Sequence, residues 1–393
     1  MSSTWKNVWV LWLCGVIAAA EFGKFGPLLT GLAHDRGLSL PAAGWLSSMI
    51  ELGGATGGLL AGGLVRRLGS RGAIQSGLLL LILGSLAECL PITPGLWLGR
   101  IGESAGYLLV VVATPSLMMQ LTTPAERPHA LSLWSTFVPV GLAVGSVLSG
   151  ALVPAIGLSV TLAGWAAVPA VAMLLTLTLP RTVSVAADPA IPVRLPGLPV
   201  WWLCAAFFCC ALLFVGVVSL LPTFLQTSAH VSVALSGTIT GAAAFATVAG
   251  SAITSWRLSR DQSRFSPGAI RDLDLLGLAL PAILLAWMYV SSSGVILVAV
   301  LAIAALGLSG VVPALLFARI SDAGHRAGGA HPAVINGVLT HFGATGSLLG
   351  PPILAALSLR AGWPAAAAFV GLLSLGVFGF ATLAQSALAK SGR

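Results

Sequence analysis

Twelve long apolar blocks, separated by short polar connections, run the length of this chain. Each is on the order of 20 residues, the length a helix needs to cross a hydrocarbon layer about 30 Å thick. The blocks cover residues 8–30, 42–64, 72–90, 96–120, 129–153, 158–179, 199–226, 233–255, 274–291, 294–318, 333–357 and 363–386. Inside lipid the backbone must satisfy its own hydrogen bonds, and runs this long do so as helices. The pattern predicts an all-α polytopic membrane protein with 12 transmembrane helices.

Composition agrees. Hydrophobic residues make up 57% of the chain and charged ones 8%, where a soluble domain carries about a quarter charged. The 19 basic residues give a net charge of +8, yet they form no stripe of the kind that binds nucleic acid. They follow membrane topology instead. With a cytoplasmic N-terminus, Lys6, Arg66, Arg67, Arg71, Arg127, Arg181, Arg194, Arg257, Arg260, Arg264, Arg271, Arg319, Arg326, Lys390 and Arg393 all fall on the inner side. Only Arg36 and Arg360 fall outside, and Lys24 and Arg100 lie within blocks. This bias predicts both termini in the cytoplasm and a multi-pass protein of the inner (plasma) membrane. Lys6, an apolar run and Ala18-Ala19-Ala20 imitate a signal peptide. The run continues to Leu32, so it is read as a retained first span. Cys14, Cys89, Cys204, Cys209 and Cys210 show no ligand or disulfide spacing and are read as packing residues.

Residues 181–198, with Pro189, Pro192 and Pro196, divide six blocks from six. They predict an N-terminal bundle over 1–180, a cytoplasmic linker, and a C-terminal bundle over 199–393. The halves repeat. At an offset of 205, Phe137, Gly141 and Gly157 fall on Phe342, Gly346 and Gly362; at 193, Gly44, Gly57, Arg67 and Arg71 fall on Gly237, Gly250, Arg260 and Arg264. Two six-helix bundles in parallel repeat is the plan of one large class of secondary transporters.

Three stretches add a resemblance. The connection after the second block carries Gly63, Leu64, Arg67, Gly69 and Arg71, the fourth block opens with LGRIGESAGYLLVVVATP around Arg100, and the fifth carries PVGLAVGSVLSG. These resemble the major facilitator superfamily over the whole chain, and the Arg100 stretch is similar to its cyanate and nitroimidazole transporter branch. The resemblance implies two six-helix bundles working by alternating access, a gating loop at Gly63, Arg67, Gly69 and Arg71, and spans 1 and 4 lining a central cavity. The fifth block does not reproduce the family's Gly-Pro order, and two single residues depart from the family pattern. Arg66 stands where the loop has an acidic residue, and Ser104 stands where span 4 has glycine. The Arg66 departure implies a weaker lock on the inside-closed state. Arg66, Arg67 and Arg71 are expected at the level of the lipid headgroups.

Six ionisable residues fall within blocks: Glu21, Lys24, Glu51, Glu88, Arg100 and Glu103. A charge at bilayer depth costs about 2.5–3.5 kcal/mol, so these must pair, take up protons, or face water. A rise of about 1.5 Å per residue puts Glu21, Lys24, Glu51, Arg100 and Glu103 in one layer, roughly 8–15 Å below the outer edge. Glu21 and Lys24, and likewise Arg100 and Glu103, are spaced to meet on one helix face. Glu88 ends its block beside Pro91 and is expected to reach the interface. Three carboxylates then face two cations. A carboxylate short of counter-charge in a low-dielectric site favours its proton-bound form and can exchange that proton. Glu21, Glu51 and Glu103 are therefore the proton-coupling candidates, with Glu21 and Glu51 ahead.

Lys24 and Arg100 are the candidate contacts for an anionic substrate, joined from the second half by Asn336 and His341 on span 11. Gln226 ends span 7 as a further polar candidate. The chain lacks the phosphate-binding loop of an ATPase, metal-ligand spacing and a nucleophile elbow, so no enzyme, cofactor or metal is expected. Two readings stay open: proton-coupled export of a small organic compound, and proton-coupled uptake of a small organic anion. The expected partners are a small-molecule substrate, protons and membrane lipid, with the chain as a monomer. A non-transporting scaffold is the remaining class.

Overall fold

The computed structural model describes residues 3–90, 92–180, 195–260, 267–290, 294–326 and 332–391. Most of the 181–198 linker, with Arg181 and Arg194, lies outside the described residues, as do Arg264 and Arg393. The described chain is helical throughout. Before residue 181 run α1 (Ser3–Gly23), α2 (Leu29–Asp35), α3 (Leu40–Ser48), α4 (Leu52–Leu68), α5 (Ser70–Glu88), α6 (Thr93–Leu121), α7 (Arg127–Trp134), α8 (Phe137–Ile156), α9 (Leu158–Trp165) and α10 (Ala167–Thr176). After it run α11 (Leu198–Thr227), α12 (Val233–Arg260), α13 (Pro267–Val290), α14 (Val295–Ser309), α15 (Val311–Arg326) and α16 (Pro332–Ser391).

Among the described residues, 9 helices are long and apolar enough to cross a membrane, or 10 if the bent pair Leu40–Gly58 and Ala61–Leu68 is one span. The apolar block at 274–291 is represented by a shorter apolar helix, Gly277–Val290. Several expected spans are interrupted inside. A 3₁₀ turn at Gly26–Leu28, opened by Pro27, joins α1 to α2, and another at Met49–Glu51 separates α3 from α4. Some expected loops, conversely, shrink to one residue. Gly69 (φ 70°, ψ 150°) turns α4 into α5, and Gly157 (φ 82°, ψ 164°) turns α8 into α9. Gly362 (φ 74°, ψ 177°) bends α16 between two expected blocks. This backbone region is essentially restricted to glycine, which explains how helices can reverse with no loop at all.

The sequence repeat reappears as equivalent packing. Gly157 and Gly362, matched at the offset of 205, adopt the same rare conformation at equivalent helix junctions. Gly145 and Gly350 share that offset: a Cβ on Gly145 would collide with the Ala20 carbonyl of α1, and one on Gly350 with the Leu212 carbonyl of α11. Close backbone approach through small residues is how helices gain packing energy in lipid, where no hydrophobic force separates helix from solvent.

Among the described residues, the two parts of the chain meet where α3, α4 and α8 face α12 and α16. Gly44 of α3 lies against Pro351 and Pro352 of α16, and Gly150 of α8 against Val233 and Gly237 of α12. The Ser48 hydroxyl donates to the Leu348 carbonyl at 2.7 Å, and Gln226 Nε2 donates to the Pro27 carbonyl at 3.1 Å.

Candidate functional site

The reciprocal crossing of α5 and α6 builds the site. Gly84 lies over Glu103 and Gly99 lies over Glu88, so each glutamate fills the space its partner helix leaves by having no side chain. Against this crossing the last turn of α1 presents Glu21, and the turn that follows it presents Lys24. The result is a cluster in which Glu21, Lys24, Glu88, Arg100 and Glu103 are all 0% exposed.

Lys24 sits at its centre. Its Nζ lies 2.7 Å from Glu21 Oε2, 2.6 Å from Glu88 Oε2 and 2.5 Å from Glu103 Oε1, and it donates to Ser85 Oγ at 3.2 Å. The Ser85 hydroxyl in turn reaches Glu103 Oε1 at 2.8 Å. Arg100 donates from Nη1 to Glu103 Oε2 at 2.5 Å and to the Glu21 carbonyl at 3.1 Å. Its remaining nitrogens serve α3: Nε donates to the Leu46 carbonyl at 2.8 Å and Nη2 to the Ser47 carbonyl at 2.6 Å. The Phe25 ring lies 4.5 Å below the guanidinium, a cation–π contact in a fully buried site.

The spacing-based pairs Glu21–Lys24 and Arg100–Glu103 both form. Two expectations need correction. Glu88 does not reach the interface: it is buried, bound to Lys24 and 4.0 Å from Arg100. Glu51 does not join the cluster, since the 3₁₀ turn carries it to another face, where it meets the Tyr107 hydroxyl. The excess of carboxylate over cation survives with different members. Three carboxylates still surround two cations, and Glu21 Oε1 and both oxygens of Glu88 accept no hydrogen bond within the described residues. The Glu88 carboxylate meets Lys24 Nζ at 2.6 Å as an ion pair.

Glu51 keeps part of its surface accessible although protein surrounds it. It makes no ion pair among the described residues and lies beside Gly54, which abuts Ala344 of α16. His341, one turn before Ala344, is exposed and 6.2 Å from the Phe342 ring. The Asn336 side chain lies outside the described residues. Gly63 and Arg67 fall in the last turns of α4, with Arg67 exposed, and Gly69 makes the turn into α5. Arg71 donates to the Leu179 carbonyl at 2.5 Å and the Leu177 carbonyl at 3.3 Å, where it caps the end of α10. Arg319, read as a flanking base, is buried within α15.

Residues 11–337 match the Major Facilitator Superfamily, and that match spans well over half of the chain. The chain belongs to the Major Facilitator Superfamily. It is a membrane transporter, not an enzyme. Over 159 residues it is 30% identical to Solute carrier family 22 member 18 of Mus musculus, a match that spans 38% of each chain. Its fold is similar to a human organic anion transporter, MFSD10 (TETRAN), with TM-score 0.67 and 16% identity over 97% of this chain and 100% of that one. It is similar also to a bacterial homolog of the human lysosomal transporter Spinster in an inward-facing, occupied conformation. That match has TM-score 0.71 and 16% identity over 98% of this chain and 96% of the other. For this member of the superfamily, the sealed cluster is the one dense set of membrane-depth charges among the described residues.

Proposed function

We propose that this transporter exports a small organic compound in exchange for protons, by alternating access between two six-helix bundles, 1–180 and 199–393. Twelve spans follow if the bent α3–α4 pair counts once, α16 divides at Gly362, and Gly277–Val290 completes the set. The basic residues then orient both termini to the cytoplasm of an inner (plasma) membrane, and the chain acts as a monomer. In that orientation the contacts at Gly44, Ser48, Gly150 and Gln226 close the outer side, which is the inward-facing state. Arg66 in place of an acid favours that state by weakening the inner lock at Gly63, Arg67, Gly69 and Arg71.

The observation that carries the reading is the division of charge between two places. Lys24 and Arg100 are sealed and saturated by carboxylates and carbonyls, while Glu51 keeps part of its surface accessible and pairs with no cation among the described residues. An accessible acid beside the contact between bundles suits proton exchange, and the sealed cluster holds a spare negative charge. The observation favouring uptake of an organic anion is the description of the human neighbour as an organic anion transporter, together with the likeness of the Arg100 stretch to cyanate carriers. That reading requires Lys24 or Arg100 to leave its present partners.

Proteoliposomes of known orientation separate the two. Export predicts substrate and proton fluxes of opposite direction, and anion symport predicts the same direction. Glu51→Gln or Glu21→Gln should abolish proton-driven accumulation while sparing substrate exchange. Full accumulation in both variants would overturn the carboxylate argument.

A further inference from the structure

The break in the second span carries more hydrogen-bonding groups than a helix can satisfy by itself. At Met49–Glu51 the chain tightens to a 3₁₀ turn, so that the Leu52 N–H pairs with the Met49 carbonyl. Changing from i→i−4 to i→i−3 pairing takes neighbouring carbonyls and N–H groups out of the helical ladder, and at bilayer depth each left unpaired is expensive. The sequence at the turn, Met49-Ile50-Glu51, contains neither glycine nor proline. Something outside the segment must hold it.

That support comes from α6. Arg100 takes the Leu46 and Ser47 carbonyls at 2.8 and 2.6 Å, and the Ser104 hydroxyl accepts the Gly53 N–H at 2.6 Å. Arg100 and Ser104 are one helical turn apart, so a single face of α6 holds both sides of the break. On its opposite flank the same segment meets α16, through Gly44 on Pro351, Ser48 on Leu348 and Ala55 on Ala344 and Leu348. The corresponding helix of the second half, α12, runs from Val233 to Arg260 without a break. The device is one-sided.

We propose that Arg100 and Ser104 are positioning residues that latch the bend between α3 and α4, and so set from α6 the contact with α16 that closes one end of the carrier. The Arg100 guanidinium also holds Glu103 and the Glu21 carbonyl, within a cluster completed by Lys24, Ser85 and Glu88. A change in that cluster's charge is thereby felt at the bend, whose other flank carries Glu51 and Tyr107. Ser104 stands where the superfamily pattern has glycine, and glycine there offers Gly53 no acceptor. The proposal rests on the alternating-access reading, but its test needs no transport, so the two can fail separately.

The test uses the full chain in detergent, with Cys14 kept, the other four cysteines replaced, and Leu348→Cys as reporter. Leu348 is 8% exposed and keeps its carbonyl in the variant; Cys14 is 0% exposed in α1, away from the contact. The rate of alkylation by N-ethylmaleimide is followed at both sites. Ser104→Ala and Ser104→Gly should each raise the reporter rate about fivefold, the equivalent of one hydrogen bond, with Cys14 unchanged. Ser104→Thr, which keeps the acceptor, should restore the original rate. Arg100→Lys keeps a charge beside Glu103 but loses the fork onto both carbonyls, and should raise the rate further. It carries the same readout if the alanine variant does not fold. Reporter rates equal to the parent in Ser104→Ala and Arg100→Lys overturn the latch, as does a rise that Cys14 shares.

Discussion

Removing the positive charge of Lys24 should cost far more than removing the negative charge of Glu88, although the two touch. Lys24 has three carboxylate oxygens within 2.7 Å. Lys24→Gln leaves Glu21, Glu88 and Glu103, all fully buried, facing one guanidinium. Breaking a buried pair by deleting one partner costs about 3–5 kcal/mol, and here three partners lose the same cation, so the upper part of that range applies. Glu88→Gln does the reverse. It balances two carboxylates against two cations, keeps the side-chain volume under Gly99, and leaves an amide oxygen able to face Lys24 Nζ. Its effect should stay within about 1 kcal/mol. Apparent unfolding temperatures of the purified variants in lipid nanodiscs test the asymmetry. At about 2–4 °C per kcal/mol for a large domain, Lys24→Gln should fall by roughly 10 °C and Glu88→Gln by no more than about 4 °C. Acidification should recover part of the Lys24→Gln loss, because carboxylates that take up protons no longer repel one another. An equal fall in both variants would refute the charge count. So would a Lys24→Gln loss that low pH deepens.

Four further substitutions, one of them a control, test the helix packing. Arg71→Ala should lower stability by about 1.5–3 kcal/mol, because the Leu177 and Leu179 carbonyls at the end of α10 lose a charged donor; a shift under 0.5 kcal/mol in denaturant titration would show that water replaces the cap. Gly145→Val and Gly350→Val should destabilise alike, by about 1–3 kcal/mol or more, since each drives a side chain into the carbonyl of a neighbouring helix. Gly371→Ala, with nothing within 4 Å of its Cβ position, should leave the unfolding temperature unchanged.

Relative height along the helices was readable from the chain, and direction around each helix was not. A rise of about 1.5 Å per residue holds closely in any α-helix, so the shared layer of Glu21, Lys24, Arg100 and Glu103 followed from counting residues. The i, i+3 pairs followed for the same reason. Glu51 sits close to the same layer by that counting but on a different face. Each 3₁₀ residue turns the chain about 120° where an α-residue turns it about 100°. Three such residues at Met49–Glu51 therefore swing the following helix by about 60°. The cause of the turn lies in Arg100 and Ser104, some 50 residues downstream, and no local reading of span 2 contains it. Arg319 escaped for a simpler reason: α15 continues to Arg326 past the end of its apolar block, so a base that counts as flanking is still inside the helix.

Glu88 is the instructive case, because its place was written in the sequence in a form that hydropathy does not register. Pro91 after it suggests a span end at the interface, and burial there depends on what the next helix brings. The α5 segment Gly84-Ser85-Leu86-Ala87-Glu88 and the α6 segment Gly99-Arg100-Ile101-Gly102-Glu103 share one pattern, a glycine four residues before a glutamate. In two antiparallel helices joined by a short connection, that pattern lets each glutamate lie over the other helix's glycine, as Glu103 does at Gly84 and Glu88 at Gly99. Such a crossing brings two acids to one depth, and in lipid it is tolerable only if cations meet them there. Arg100 and Lys24 are those cations. The reciprocal pattern thus implies the cluster, and the cluster accounts for a lysine just past the end of α1, inside the first apolar block, that helix packing alone would never select.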